Sequence, residues 1–302
     1  MRYELWDVFT GEPFAGNPLA VVPDARGLTD AQMQRIANEF NLSETSFVLP
    51  SEGAEAAGVC ARYFTPAQEL PMAGHPSVGT VFALEKAGAF AGKDRVTLTL
   101  NIGPVEMTLE REGVTGRDGG TLKRVWMNQG VPELLDVFDK AEVARALGLD
   151  ERDLEADLPA QLGSAGNPFL LVPVVSLDAL ARVQVSLTAT TQMLHGDHRG
   201  VLIFTRNAPE ADVRARMFGV TNRLYEDPAT GSAHGPLGAY LAAHTDILQD
   251  KTKGDSAEFV SHQGVEMGRK SELFVRLERV AAGVQVSVSG AAVQVGAGEL
   301  FL

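Results

Sequence analysis

Three short segments set ionisable or donor groups among apolar neighbours, and their residue types suit proton transfer and anion binding. The first is Asn41-Leu42-Ser43-Glu44-Thr45, where Glu44 separates a helical pattern from the strand-like Ser46-Phe47-Val48-Leu49. A carboxylate flanked by Leu42 and Phe47 can have its pKa raised by a partly apolar setting, so that it takes a proton and hands it back. A solvated loop carboxylate reads the same from this segment by itself. The second is Met72-Ala73-Gly74-His75-Pro76, where Gly74 and Pro76 bracket His75 at a helix start. Unpaired N–H groups and the helix dipole attract an anion there, and the imidazole can donate a hydrogen bond or carry a proton. The alternative is a histidine satisfied by backbone. The third is Tyr225 to Ala233, in which Asp227 precedes a helix opened by Gly231 and Ser232. These form a second anion nest, or else an Asp-Pro turn ahead of an ordinary capped helix.

The elements that must position these groups occur twice. Residues 15–23 read Ala-Gly-Asn-Pro-Leu-Ala-Val-Val-Pro, and residues 165–173 read Ala-Gly-Asn-Pro-Phe-Leu-Leu-Val-Pro. Ala73-Gly74-His75-Pro76 and Thr230-Gly231-Ser232-Ala233 form a second pair in the same order, each opening an apolar helix. Such a repeat implies two similar lobes. Thr29 or Asp30 caps a predicted helix to about Phe40 with Met33, Ile36, Ala37 and Phe40 on one face. A second helix is expected from His75 to about Gly88, apolar nearly all round and so central to its lobe. Ser46–Leu49 and Val59–Phe64 read as strands, and Arg95–Leu100 with Val105–Glu110 as a hairpin. The polar, glycine-rich stretch 113–120 is the expected boundary, with lobes at 1–115 and 120–282. In the second half, strands are expected at Leu122–Met127, Phe169–Val174, Gly200–Thr205 and three places after 257, and helices at Lys140–Leu147 and Leu177–Val183. Long parallel crossovers are not evident, and the fold class is α+β.

Composition narrows the function. The 302 residues are 45% hydrophobic and 22% charged, enough for two packed cores. A net charge of −13 disfavours nucleic acid and anionic membranes as partners. Cys60, the single cysteine, excludes an internal disulfide, is expected to be a buried inert thiol, and fits a reducing cytoplasm. No secretion signal or membrane-length apolar run is evident, so a cytoplasmic location is expected. His195-Gly196-Asp197-His198 looks metal-like but lacks further ligands nearby, so a polar loop and no metal are expected. Neither a phosphate loop nor a dinucleotide fingerprint occurs, so no cofactor is expected. Ser232 is not in a nucleophile elbow.

Taken together, Asp7-Val8-Phe9-Thr10 through Phe14-Ala15-Gly16-Asn17-Pro18-Leu19-Ala20-Val21, Asn41-Leu42-Ser43-Glu44-Thr45, Phe64-Thr65-Pro66, Glu69 to Pro76 and Asp227 to Ala233 resemble the phenazine-biosynthesis PhzF-like family. The resemblance implies a diaminopimelate-epimerase-like fold: two pseudo-symmetric lobes, each a mixed, mostly antiparallel sheet around a central helix, with the active site between them. It also implies that the segment at about 283–302 completes the first lobe, and that the protein is a homodimer. By the family pattern Glu44 is the acid/base carboxylate, and His75, Asp227 and Ser232 contact the substrate, with Gly74 and Gly231 in the binding turns. The implied reaction is a cofactor-independent isomerisation of a small unsaturated or cyclic carboxylic acid, like that of trans-2,3-dihydro-3-hydroxyanthranilate. Two alternatives remain, a non-catalytic binding protein of the same fold and a racemase or epimerase. The thiols of an epimerase would fall at Ala73 and Thr230, neither of which is a cysteine.

Overall fold

The computed structural model describes residues 1–50, 59–113, 120–195, 200–220, 223–248 and 255–301. The chain forms two compact units, Met1–Asn128 with Ser289–Leu302, and Gln129–Val288. Strands and few helices are mixed in each, an α+β fold.

The first unit begins with β1 (Arg2–Val8), β2 (Asn17–Val22), α1 (Asp30–Phe40) and β3 (Glu44–Pro50). It continues with β4 (Val59–Phe64), β5 (Glu69–Leu70), α2 (Gly74–Lys86), β6 (Arg95–Leu100), β7 (Gly103–Glu112) and β8 (Thr121–Asn128). Thr29 and Gln32 form a reciprocal capping box that starts α1, and Met33, Ile36 and Ala37 are buried on one face. Phe40 is only partly buried and packs against the same core, which includes Val22, Phe47 and Phe64. Helix α2 is buried from Gly74 through Leu84, which explains an apolar sequence with no polar stripe.

The second unit holds β9 (Glu133–Phe138), α3 (Lys140–Ala146), β10 (Ala160–Ser164), β11 (Pro168–Pro173), α4 (Leu177–Arg182), α5 (Leu187–Met193) and β12 (Gly200–Thr205). Next come β13 (Val213–Val220), β14 (Leu224–Asp227), α6 (Gly231–His244), β15 (Ser256–Gln263), β16 (Ser271–Val280) and β17 (Gly283–Gly290), whose last residues pass to the first unit. Its core gathers Leu147, Leu162, Leu170, Val172, Leu180 and Ile203. The final strand, β18 (Ala292–Glu299), belongs to the first unit and runs antiparallel to β1.

Two readings of the chain's organisation need correcting. Strand β8, assigned above to the second lobe, pairs antiparallel with β7 from Met107↔Met127 to Glu112↔Thr121. Its buried Val125, Trp126 and Met127 therefore join the first core, and the division falls after Asn128, not at 113–120; residues 114–119 lie outside the described set. Parallel crossovers also exist. Strands β2 and β3 run parallel through α1, and β4 and β6 through α2. The helix carries the chain back so that the next strand enters in the same direction. In pairing order, β1 to β7 read antiparallel, parallel, antiparallel, antiparallel, parallel, antiparallel. Strands β10 to β16 repeat that order.

Close approach of the central helices depends on glycine. A Cβ on Gly79 would stand 2.5 Å from Leu19 Cδ2 and 2.8 Å from Val8 Cγ2, so α2 lies directly on β1 and β2 there. Gly79→Ala should lower stability by about 1–3 kcal/mol through overpacking, read as a lower urea midpoint. An unchanged midpoint would mean that Leu19 and Val8 repack freely.

Candidate active site

In the first unit, the site residues follow from one helix end and one helix start. Helix α1 stops at Asn41, which adopts the left-handed conformation (φ 49°) and donates its N–H to the Ala37 carbonyl. The chain then enters β3 at Glu44, level with Leu19 on the parallel strand β2. Opposite it, α2 starts at Gly74 with Ala73 as its N-cap, a residue with no side-chain acceptor, so among the described residues no N-cap side chain serves the first-turn N–H groups. His75 Nδ1 lies 3.4 Å from Glu44 Oε2, with side chains 6% and 17% exposed. His75 Nε2 is buried without a hydrogen-bond partner among the described residues. Glu44, Gly74 and His75 therefore come together.

A buried chain of hydroxyls supports this contact. Ser46 Oγ and Thr80 Oγ1 share a hydrogen bond of 2.6 Å, tying β3 to α2. Tyr63 donates to Ser77 Oγ (3.1 Å), which donates to the Ala73 carbonyl (2.7 Å). Glu44 and Ser46, two apart on β3, share a face, so the Ser46–Thr80 bond sets the register of the carboxylate against α2.

In the second unit, Asp227 ends β14 opposite Met217 and is 7% exposed. Thr230 Oγ1 donates to Asp227 Oδ2 at 2.5 Å. Thr230 is the N-cap of α6, yet its hydroxyl makes no capping bond, so among the described residues this helix too begins without a side-chain cap for Gly231 and Ser232. The neighbouring carboxylate is already committed. Glu226 accepts two hydrogen bonds from the Arg216 guanidinium, 2.8 and 2.9 Å. His234, one turn into α6, is a core histidine: Nδ1 donates to the Thr230 carbonyl (2.9 Å), and Nε2 accepts from Ser261 Oγ (2.8 Å).

Burial sets the charge of both histidines. Desolvation holds His75 down to about 3 and, against the pull of the Thr230 carbonyl, His234 down to about 4. Both rings are neutral at pH 7. As pH falls from about 6.5 towards 4, the unfolded chain binds protons on these rings and the folded chain does not. Stability fully present above that window is lost within it, at up to ~1.4 kcal/mol per pH unit for each ring. Urea unfolding at pH 7 and pH 5 measures this slope, and His75→Asn should remove one ring's share. An unchanged slope would contradict a neutral His75.

Sequence reasoning did not single out Thr230 as a partner of Asp227, nor Gln263, Tyr63, Ser77 or Thr80. Only Thr230 had a local signal, a hydroxyl three residues after an aspartate at a helix start. Cys60 is half-buried rather than buried, because it sits towards the start of β4, and desolvation pushes its thiol up. Of the metal-like segment, His195 has a left-handed backbone (φ 52°), and 196–199 lie outside the described residues. Among the described residues, no helix is long and apolar enough to cross a membrane.

A family model described as phenazine biosynthesis-like protein (PhzC-PhzF) matches residues 6–298. The chain belongs to the PhzF family. The trans-2,3-dihydro-3-hydroxyanthranilate isomerase of Pseudomonas fluorescens is 37% identical over 309 aligned residues, covering 100% of this chain and 99% of that protein. The crystal structure of a Bacillus anthracis phenazine biosynthesis protein of the PhzF family superposes with a TM-score of 0.87 at 30% identity, covering 100% and 99% of the two chains. A probable proline racemase from Agrobacterium radiobacter K84 shares the fold, with a TM-score of 0.61 at 16% identity over 100% of this chain and 93% of that one. This PhzF-family protein is an isomerase.

Proposed function

We propose that this isomerase moves a proton on a small unsaturated or cyclic carboxylic acid, without a cofactor, and that Glu44 is its acid/base group. The supporting observation is the mostly buried Glu44–His75 contact at 3.4 Å. Glu44 takes a proton from one carbon, the double bond shifts, and the new carboxylic acid returns the proton to another carbon on the same face. No net proton is gained or lost, so one base suffices. His75, neutral through burial, orients the carboxylate through Nδ1 and offers Nε2 to the substrate. Each helix start by itself, at Gly74 in one unit and at Gly231 and Ser232 in the other, offers N–H groups that suit a carboxylate or developing negative charge. Asp227 accepts a hydrogen bond from a polar substituent of the substrate. A two-thiol epimerase mechanism has no support at Ala73 or Thr230.

The Pseudomonas fluorescens relative's name supplies the first compound to try, trans-2,3-dihydro-3-hydroxyanthranilate. Proton NMR in heavy water should show deuterium entering the product and the double bond migrating. Binding without exchange or migration would move the reading to a non-catalytic binding protein.

A further inference from the structure

We propose that Gln263 is a positioning residue that fixes the direction of the Thr230 hydroxyl, so that its hydrogen always points at Asp227. The idea rests on the reading above only in giving Asp227 a role with substrate. Gln263 ends β15 and is fully buried. Its Oε1 accepts the Thr230 N–H at 3.2 Å, while its Nε2 donates to the Asp227 carbonyl at 2.6 Å and to Thr230 Oγ1 at 3.1 Å. A carboxamide has one acceptor oxygen and two N–H donors, and all three groups are engaged here. Turned over, the amide would set its oxygen against the Asp227 carbonyl and its NH2 against the Thr230 N–H, so only one orientation satisfies both backbone groups. An N–H aimed at Thr230 Oγ1 occupies a lone pair there and leaves the hydroxyl hydrogen for Asp227 Oδ2 at 2.5 Å.

Three consequences follow. Asp227 is held at two points, its main-chain carbonyl by Gln263 and its carboxylate by Thr230. The carboxylate stays a hydrogen-bond acceptor in a charge-assisted contact. The Thr230 hydroxyl, spent on Asp227, neither caps α6 nor serves as a base. Strand β15 holds this turn at a second point, since Ser261, two residues before Gln263 on the same face, donates to His234, which in turn donates to the Thr230 carbonyl. His262, the ionisable residue next to Gln263 in β15, lies 3.3 Å from Glu272.

The test compares Gln263→Glu, Thr230→Val and Thr230→Ser in the full chain, once thermal unfolding shows that each folds. At pH 8 the carboxylate introduced by Gln263→Glu has no N–H, and the Thr230 hydroxyl turns towards it. A crystal structure of that variant should show Thr230 Oγ1 and Asp227 Oδ2 separated beyond about 3.2 Å. Activity on trans-2,3-dihydro-3-hydroxyanthranilate should fall about tenfold or more relative to wild type, through kcat, and Thr230→Val should lose about as much. At pH 5.5 the introduced carboxyl, its pKa raised by burial, regains a hydrogen, and the variant-to-wild-type ratio should recover. Thr230→Ser keeps the hydroxyl and should stay within about threefold of wild type.

A ratio that does not change with pH, or an unchanged Thr230–Asp227 distance at pH 8, overturns the proposal. If Gln263→Glu does not fold, full activity in Thr230→Val overturns it, and loss in Thr230→Val with retention in Thr230→Ser supports it. If wild type leaves the compound untouched, the proposed reaction fails, while the crystal geometry still decides the role of Gln263.

Discussion

Glu44→Gln is expected to keep the fold and lose turnover, with kcat reduced by ~10²–10⁴-fold, the contribution of a positioned general base. The amide has nearly the shape of the carboxylate, so it still fits beside His75 Nδ1, now at 3.4 Å from Glu44 Oε2, and the Ser46–Thr80 bond behind it is untouched. What it cannot do is accept a proton. His75 is a poor substitute, because burial holds it down to about 3 and leaves it a weak base. KM should change little, since the substitution removes a proton acceptor rather than a charge-bearing contact used uniformly in binding. Stopped progress curves together with thermal unfolding make the check. Turnover within about threefold of wild type in a folded variant would assign the chemistry to another group.

The second large effect belongs to Asp227. Asp227→Asn should lower kcat/KM by about 10–100-fold, as expected when a charge-assisted hydrogen bond worth about 1.5–3 kcal/mol is lost. The amide oxygen can still accept from Thr230, so the turn and α6 should remain in place. Glu226→Gln is the informative control. Glu226 forms a bidentate pair with Arg216, which is itself mostly buried, so this change should reduce stability and leave kcat/KM of the folded fraction nearly intact. Steady-state kinetics beside urea unfolding separates the two. Equal kinetic losses in both variants would mean that the two adjacent carboxylates are not divided between structure and chemistry.

What could be read from the chain was local. Helix α1 was legible because its capping box and apolar face lie within one short segment, and the helix starts at Gly74 and Gly231 because glycine and proline mark them. Strand β9 and helix α5 escaped. Much of β9 is exposed, with Leu135 and Val137 facing solvent, so no apolar alternation marks it, and α5 is a Thr-rich helix of seven residues. Strand β8 was assigned to the wrong half because pairing with β7 is a long-range fact that a glycine-rich loop hides. The same limit applies to the candidate residues of each unit. Glu44, His75, Asp227 and Ser232 stand in short motifs, whereas Gln263 lies 36 residues from Asp227, and only the fold returns β15 to that turn. The Tyr63–Ser77–Ala73 chain is equally silent, because a tyrosine in an apolar strand reads as packing until its hydroxyl is seen to be buried and bonded.

The most direct test of a single carboxylate carrying the proton is an intramolecular transfer experiment. Substrate deuterated at the carbon that loses its proton is converted in ordinary water under single-turnover conditions, and the product is examined by NMR. One mostly buried carboxyl group that takes the deuteron and delivers it to the second carbon should leave part of the deuterium in the product, with retention falling as the trapped acid exchanges with solvent. Glu44→Gln should form no product in the same time. Complete loss of deuterium at the earliest turnover, or product formed by Glu44→Gln at the wild-type rate, would contradict a one-base transfer through Glu44.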